Sequence, residues 1–181
     1  MNNLPKCTSN SYNKDPFYLI KDNDTLKTYI VHLNDEFRIR ILLSGFINSI
    51  DSIVDLTIRS YEDPFNPIVY RGCQEKNRIH VLLTEFEDVI FHNGYHDLIF
   101  RNPDTNESIT FDEHGLIFMD TNTDYSDVLK NLGAELKQSE KLISKSFHWH
   151  HSSESLNERL FEFISVVGLV KEESADRSEP E

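Results

Sequence analysis

Three short apolar runs separated by turn-forming residues constrain the fold of this chain more than any other feature. Residues 97–101, 108–111 and 116–119 have the length and composition of strands. The connections at 102–106 and 113–115 carry Asn, Pro, Asp and Gly, which favour turns. Such short links join antiparallel strands, whereas parallel strands need a long crossover. We therefore predict an antiparallel meander in this part of the chain.

Other strands are predicted on both sides of this meander. Residues 26–33 and 37–46 are rich in β-branched and large apolar residues, and the Asn-Asp pair at 34–35 favours a turn between them. Residues 37–41 alternate between apolar residues and arginine, as a half-buried strand does. We expect these two runs to form a hairpin. Three further strands are predicted at 53–58, at 67–70 on a sheet edge, and at 145–150.

Helical spacing of apolar residues appears in three segments. In 82–92 they recur at i, i+1, i+4, i+7 and i+8, which favours a helix that ends at Asn93-Gly94. The alternative is a hairpin that turns at the same Asn-Gly pair. Residues 125–132 predict a short helix, and 156–167 predict a longer one that starts at a Ser-x-x-Glu capping box and ends at Gly168.

Together these elements predict one α+β domain, with a mainly antiparallel sheet and about three helices packed on one face. The 181 residues suit a single core, which we place at 14–170, after a flexible N-terminus at 1–13. Residues 171–181 are acidic and almost devoid of apolar side chains, so we expect a disordered tail. The sequence shows no secretory signal, no membrane-spanning run and only two isolated cysteines. These features predict a cytoplasmic protein.

The negative charge of the chain is concentrated in two segments. The protein has 31 acidic and 18 basic residues, with a formal net charge of −13. Residues 85–127 contain eleven acidic residues and a single basic one, Arg101, and the 171–181 tail is also acidic. The other segments are balanced. Phosphate groups would be repelled, so non-specific binding of nucleic acid is excluded.

An ordered segment of one charge sign is either a solvated face or a surface for a basic partner. We predict that it binds a basic protein, because a merely soluble surface usually mixes both signs. Exposed aromatic residues beside the carboxylates would anchor the contact. The candidate partner-binding residues are Glu85, Glu87, Asp88, Tyr95, Asp104, Glu107, Asp112, Glu113, Asp120, Asp124 and Tyr125.

In size, acidity and lack of catalytic motifs the chain is similar to the immunity proteins of bacterial toxin systems. Those proteins neutralise a toxin, often a nuclease with a basic cleft, by covering its active site or a neighbouring surface. The resemblance implies a non-enzymatic inhibitor without a cofactor, whose partner is a basic toxin domain. A regulatory or assembly subunit would bind a different partner through the same electrostatic attraction.

The most conspicuous candidate for metal chemistry is Phe147-His148-Trp149-His150-His151. On a strand His148 and His150 share a face, so both could approach one metal ion, and a metal-dependent enzyme using His148, His150 and His151 is the alternative function. A third ligand would have to come from His92, His96 or His114. The simpler interpretation places Phe147 and Trp149 in the core and the histidines in solvent.

Other motifs argue against catalysis and against calcium binding. Residues 120–124 have the D-x-N-x-D start of a calcium loop, but Tyr125 and Asn131 replace the required Gly and Glu. These carboxylates are therefore expected to cap a helix, with Thr123 or Asp124 as the N-cap. The chain has neither G-x-S-x-G nor a phosphate-binding glycine motif.

Overall fold

The fold is a nine-stranded sheet with helices packed on one face, as seen in a computed structural model. The structure describes residues 6–8, 15–22, 25–61, 66–145 and 148–172. The strands are β1 Cys7–Thr8, β2 Phe17–Asp22, β3 Lys27–His32, β4 Ile53–Ser60, β5 Ile68–Glu75, β6 His96–Arg101, β7 Ser108–Phe111, β8 Leu116–Thr121, β9 Glu135–Leu136, β10 Trp149–His150 and β11 Val170–Lys171. The α-helices are α1 Glu36–Ser49, α2 Lys76–Glu85, α3 Glu87–His92, α4 Ser126–Asn131 and α5 Glu154–Val167.

The strand order in the large sheet is β11-β5-β4-β6-β7-β8-β3-β2-β9. Each neighbouring pair is antiparallel except β2 and β9, which run parallel. The predicted meander is confirmed as β6-β7-β8, and the α+β class with a mainly antiparallel sheet is confirmed as well. Strands β1 and β10 pair separately, with Cys7 opposite His150.

The main core lies between the sheet and the helices. Alternate residues of β4, namely Val54, Leu56 and Ile58, are fully buried in it, as the two-residue period of a strand requires. The predicted helical face of 82–92 is confirmed, but it is divided at Phe86 between α2, which begins at Lys76, and α3. Helix α5 is confirmed too, and it ends at Gly168 in the left-handed conformation with φ +73°.

Residues 37–46 are helical, so the predicted hairpin with 26–33 is wrong. Asp35 caps the N-terminus of α1, where its Oδ1 accepts a hydrogen bond from Arg38 N at 3.0 Å. Phe37 lies 70% exposed, although a strand would place it on the same face as the buried Ile39. The apolar positions 39, 42, 43, 46 and 47 have helical spacing, and this longer pattern outweighs the five-residue alternation.

Other segments differ from the prediction in their limits. Strand β5 extends to Glu75 and lies between β4 and β11, so it is not an edge strand. Within the predicted strand at 145–150, Trp149 and His150 form β10, whereas 146–147, with the predicted core residue Phe147, lie outside the described residues. Helix α5 begins two residues earlier than the predicted capping box, with Ser153 as its N-cap.

Both predicted flexible ends contribute described residues to the fold. Lys6 is 1% exposed although it lies in the segment predicted to be flexible, and it precedes β1. At the other end β11 includes Lys171, and Glu172 N donates to Val69 O at 2.8 Å. The rest of the predicted tail, 173–181, lies outside the described residues.

A second, smaller core covers part of the opposite face of the sheet. It buries apolar side chains of β1, β2, β3 and β8 beneath the segment that contains Ile143. The face of β4 and β6 beyond it carries polar side chains, including Arg59 and the buried Asp97. None of the helices in the described part of the chain has the length and apolar composition needed to cross a bilayer.

The helical assignment of residues 37–46 can be tested with two alanine substitutions. Ile39→Ala removes a buried side chain and should lower the free energy of unfolding by about 2–5 kcal/mol. Phe37→Ala removes an exposed one and should change it by less than about 0.5 kcal/mol. Urea denaturation of both variants measures this difference. Similar losses for the two would instead indicate a strand with both side chains on one buried face.

Candidate functional site

The acidic residues of 85–127 do not form one surface, since the antiparallel meander sends successive turns to opposite ends of the sheet. The turn at 102–107 joins the end of β6 to β7, and the turn at 112–115 joins the end of β7 to β8. A third group of carboxylates lies on the helices. The candidate partner-binding residues are therefore divided among three places.

The helical group is tied into the scaffold by two arginines. Glu87 Oε2 lies 2.8 Å from Arg40 NH2, and Asp88 Oδ2 lies 3.5 Å from Arg159 Nε. Arg159 NH2 also donates to the backbone oxygen of Glu85 at 2.9 Å. These contacts link α1, α2, α3 and α5 to one another. Glu87 and Asp88 thus have partners within the protein, which lowers their value for an external basic partner.

The first sheet end, here called the acidic end, combines two loops. Its residues are Asp104, Glu107, Asp120, Asp124 and Asp127. Glu107 Oε1 fastens the loops together by accepting hydrogen bonds from Thr121 Oγ1 and Asn122 N, both at 2.7 Å. Partial burial opposes ionisation of Glu107, but these hydrogen bonds outweigh it and lower the pKa of the carboxyl group. The charge of Glu107 is thereby held in place.

Asp124 is fixed in a similar way. Its Oδ1 accepts a hydrogen bond from Ser126 N at 2.9 Å and another from Tyr29 Oη at 3.1 Å. The hydrogen bonds from Ser126, together with that from Tyr29, lower the pKa of Asp124 to about 2. The predicted N-cap is wrong, because Tyr125 is the N-cap of α4 and Asp124 precedes it. The neighbouring Tyr125 is 7% exposed, so the prediction that it anchors a partner is wrong.

The opposite end of the sheet, here called the histidine end, carries the remaining non-helical carboxylates, among them Asp97, Asp112 and Glu113, and several histidines. Asp112 Oδ1 organises the turn by accepting hydrogen bonds from His114 N at 3.0 Å and Leu116 N at 2.7 Å. Asp97 Oδ1 accepts one from Glu113 N at 3.0 Å. Asp112 and Asp97 are both buried, so at least these two carboxylates serve the fold rather than an exposed surface.

Two buried groups at this end have altered ionisation. Lys6 Nζ donates to His96 O at 2.9 Å and lies 4.4 Å from the centroid of the Phe111 ring. Burial lowers the pKa of Lys6 to about 8, although the nearby carboxylates of Asp97 and Asp112 oppose the change. Burial also raises the pKa of Asp97 to about 7, and the nearby Glu113 acts in the same direction. Both groups therefore titrate near neutral pH.

The histidine cluster, defined as His114, His148 and His150, lies beside these carboxylates. The prediction that His148 and His150 approach one point agrees with the structure, in which their Nε2 atoms are 3.2 Å apart. His114 joins them, and one ring nitrogen from each of the three residues lies within 4.8 Å of the others. His151 is not a member of this group. Its backbone N donates to Lys6 O at 2.9 Å and its O accepts from Gly94 N at 2.7 Å.

The other histidines considered as third ligands lie elsewhere. His92 Nε2 is 3.6 Å from Glu36 Oε2. His96 is fully buried, and burial holds its pKa well below the ordinary value. Trp149 is 45% exposed, contrary to the simpler interpretation that placed it in the core. Tyr95 is 39% exposed and stacks on the His150 ring at 6.0 Å, so it belongs to this end rather than to the acidic end.

No family model, curated protein or solved structure matches this chain. Functional inference therefore rests on the residues themselves. Sequence reasoning missed the burial of Lys6, because no apolar pattern in the polar residues around it indicates that this side chain is buried. It named His114 only as one of three possible ligands, because the approach of 114 to 148 depends on long-range topology.

Gly94 is required where the N-terminal segment crosses this end. A Cβ atom at this position would lie 2.1 Å from Lys6 O, whereas one at Gly45 in α1 would meet nothing within 4 Å. Gly94→Ala should therefore lower the free energy of unfolding by about 1–3 kcal/mol. Gly45→Ala should raise it by up to about 1 kcal/mol, because glycine weakens a helix.

Urea denaturation measures both effects, and hydrogen exchange of the His151 amide reports locally on its bond to Lys6 O. Gly94→Ala should speed this exchange, while Gly45→Ala should not. Unchanged stability and protection in Gly94→Ala would show that Lys6 does not approach Gly94 as described.

Asp97 gives the stability a defined pH dependence. Its pKa is about 7 in the folded protein and about 4 in an unfolded chain, so the folded state holds the extra proton between these values. Asp97 therefore makes stability fall as pH rises from about 4 to about 7, by at most about 1.4 kcal/mol per pH unit. Asp97→Asn should remove this component.

The measurement compares urea unfolding of wild type and Asp97→Asn at several pH values across this interval. Asp104→Asn, which removes an exposed carboxylate, controls for the loss of one charge. The free energy of unfolding of wild type minus that of Asp97→Asn should decline as pH rises. A difference that stays constant would refute the raised pKa of Asp97.

Proposed function

We propose that this protein is a non-enzymatic binding protein that docks on a basic protein partner through its acidic end. Its role would be that of an immunity protein that neutralises a bacterial toxin, such as a nuclease with a basic cleft. One observation supports this proposal most directly. Glu107 and Asp124 hold ionised carboxylates in two loops that the hydrogen bonds of Glu107 join to each other.

Fixed carboxylates favour association with a cationic surface. Because hydrogen bonds within the protein already orient these groups, less conformational freedom is lost when a partner binds. Their lowered pKa values keep both groups charged over the whole physiological pH range. Guanidinium groups of a basic cleft pair well with such carboxylates, which occupy the place of nucleic-acid phosphates.

The basic residues at this end only partly offset its charge. Lys27 Nζ lies 3.8 Å from Asp124 Oδ2, and Lys130 Nζ lies 3.4 Å from Asp127 Oδ1. Both are exposed pairs, which water and salt screen strongly. Asp104 and Asp127 remain exposed, and the Asp127 side chain is 94% accessible. Both carboxylates are therefore accessible to a partner.

The proposed surface is narrower than the one expected from sequence. It keeps Asp104, Glu107, Asp120 and Asp124 and adds Asp127, which lies in the first turn of α4. The candidates on the helices and at the histidine end lie outside it; they are Glu85, Glu87, Asp88, Tyr95, Asp112 and Glu113. We also propose a cytoplasmic location, which agrees with the free thiols of Cys7 and Cys73.

The test uses charge reversal at two positions of the acidic end. Wild-type protein immobilised on a resin should capture a basic protein from an extract of its host at low salt and release it at high salt. The double variant Asp104→Lys/Asp127→Lys should bind that protein at least about tenfold more weakly and with a smaller dependence on salt.

The matched control is Glu154→Lys/Glu158→Lys, which makes the same change in net charge on the exposed side of α5. It should retain wild-type affinity. If both double variants bind alike, net charge rather than the acidic end determines association, and the proposed surface is wrong. Binding that does not depend on salt would also contradict it.

A further inference from the structure

We infer that His114, His148 and His150 form a binding site for a divalent transition-metal ion, with zinc as the ion whose geometry they fit. This site is separate from the acidic end and does not depend on the proposed partner. It differs from the His148/His150/His151 set, which the sequence offered only as an alternative, because His114 and not His151 shares the cluster.

The neighbours of two imidazoles fix which ring nitrogen carries the proton. His150 Nδ1 lies 2.7 Å from Gly94 O, and a carbonyl oxygen can only accept a hydrogen bond. His114 Nδ1 lies 3.2 Å from both Asp112 Oδ2 and Glu113 Oε1. Each Nδ1 therefore carries a hydrogen, so in the neutral ring Nε2 presents its lone pair.

This arrangement is the one found around histidine ligands in metalloproteins. A carboxylate or a backbone carbonyl on Nδ1 orients the ring and makes Nε2 a better donor to the metal. Here Asp112 and Glu113 serve His114, while the Gly94 carbonyl serves His150. The two carboxylates thus act on His114 through Nδ1, the ring nitrogen that does not bind the metal, and they need not contact the ion.

The separation of the nitrogens suits a tetrahedral ion. With zinc–nitrogen bonds of about 2.0–2.1 Å, two ligands of a tetrahedral site lie about 3.3 Å apart. The Nε2 atoms of His148 and His150 are 3.2 Å apart. One ring nitrogen of His114 lies within 4.8 Å of a ring nitrogen of each of the other two, so all three imidazoles can reach one ion.

The ligand type selects the class of ion. Three imidazoles favour zinc, copper or nickel, whereas calcium and magnesium prefer carboxylates, carbonyls and water. Three protein ligands also leave a fourth position for water or an exchangeable group, as in sites where zinc acts on a substrate. The exposed Tyr95 stacks on the His150 ring at the same end of the molecule.

A bound ion would also join segments that are far apart in sequence. His114 belongs to the turn between β7 and β8, whereas His148 and His150 belong to the segment of β10. Strand β10 has only two residues and pairs with the two residues of β1. Metal binding to the folded chain should therefore stabilise it, by an amount that rises with the logarithm of metal concentration above the dissociation constant.

The same Nε2–Nε2 contact without a metal would be a hydrogen bond from His148 to His150. Metal titration separates these interpretations. Untagged protein, stripped with a chelator, is titrated with Zn²⁺ by calorimetry and followed by thermal unfolding. We expect one zinc per chain and an unfolding midpoint that rises with zinc concentration. An absence of stoichiometric binding and of any thermal shift would overturn the site.

Variants identify the ligands. His114→Gln and His148→Gln should each weaken zinc binding at least about 100-fold, beyond the range typical of second-shell changes. His151→Gln, which alters the adjacent histidine, and His80→Gln, which alters one bonded to Asn48 on another surface, should bind zinc as wild type does. Wild-type affinity in His114→Gln would overturn the proposed ligand set.

A spectroscopic measurement covers the case in which His114→Gln fails to fold. Paramagnetic Co²⁺ bound to wild-type protein should shift and broaden the imidazole proton resonances of the three cluster histidines. The resonances of His80 should stay unchanged. If cobalt leaves the His114 resonances unaffected, the ion does not bind where we infer, and the proposal fails.

Discussion

Burial of one face of the nine-stranded sheet is the constraint on which the rest of the structure depends. The apolar side chains of the central strands pack against α1, α2, α3 and α5, and this apolar burial is the main source of stability. The α-helices among the described residues pack on that face, and the second core beneath the segment around Ile143 covers part of the opposite one. The polar side chains discussed above therefore lie on the part of the opposite face that the second core leaves uncovered, and at the two ends of the strands.

At the histidine end, burial alters the ionisation of polar groups and fixes their positions. The start of β6, the turn before β8 and the N-terminal segment converge there, and each brings a polar group that water does not fully solvate. The Lys6 ammonium is accommodated because His96 O accepts its hydrogen bond and the Asp97 and Asp112 carboxylates lie nearby. Buried charges need such compensation. The same carboxylates orient the backbone of residues 112–116 and hold His114 toward the other histidines.

Features that depend on residues close together in sequence could be predicted, whereas features that depend on long-range contacts could not. The meander and the helices at 82–92 and 154–167 were predictable, because the period of apolar residues and the turn residues act locally. The strand expected at 37–46 was wrong because five alternating residues fit either period until Leu42, Leu43 and Phe46 are included. The burial of Lys6 and the arrival of His114 beside His148 depend on strand order. Nothing within a short window of sequence encodes that order.

The divided acidic segment illustrates the same limit in electrostatic terms. A turn at each end of an antiparallel strand separates charges that are adjacent in sequence by the length of that strand. Four residues of β7 span roughly 14 Å and six residues of β8 roughly 20 Å. Both distances exceed the Debye length of about 8 Å at physiological ionic strength. The acidic end and the histidine end therefore present nearly independent fields, so a basic partner at one end would leave the chemistry of the other end little changed.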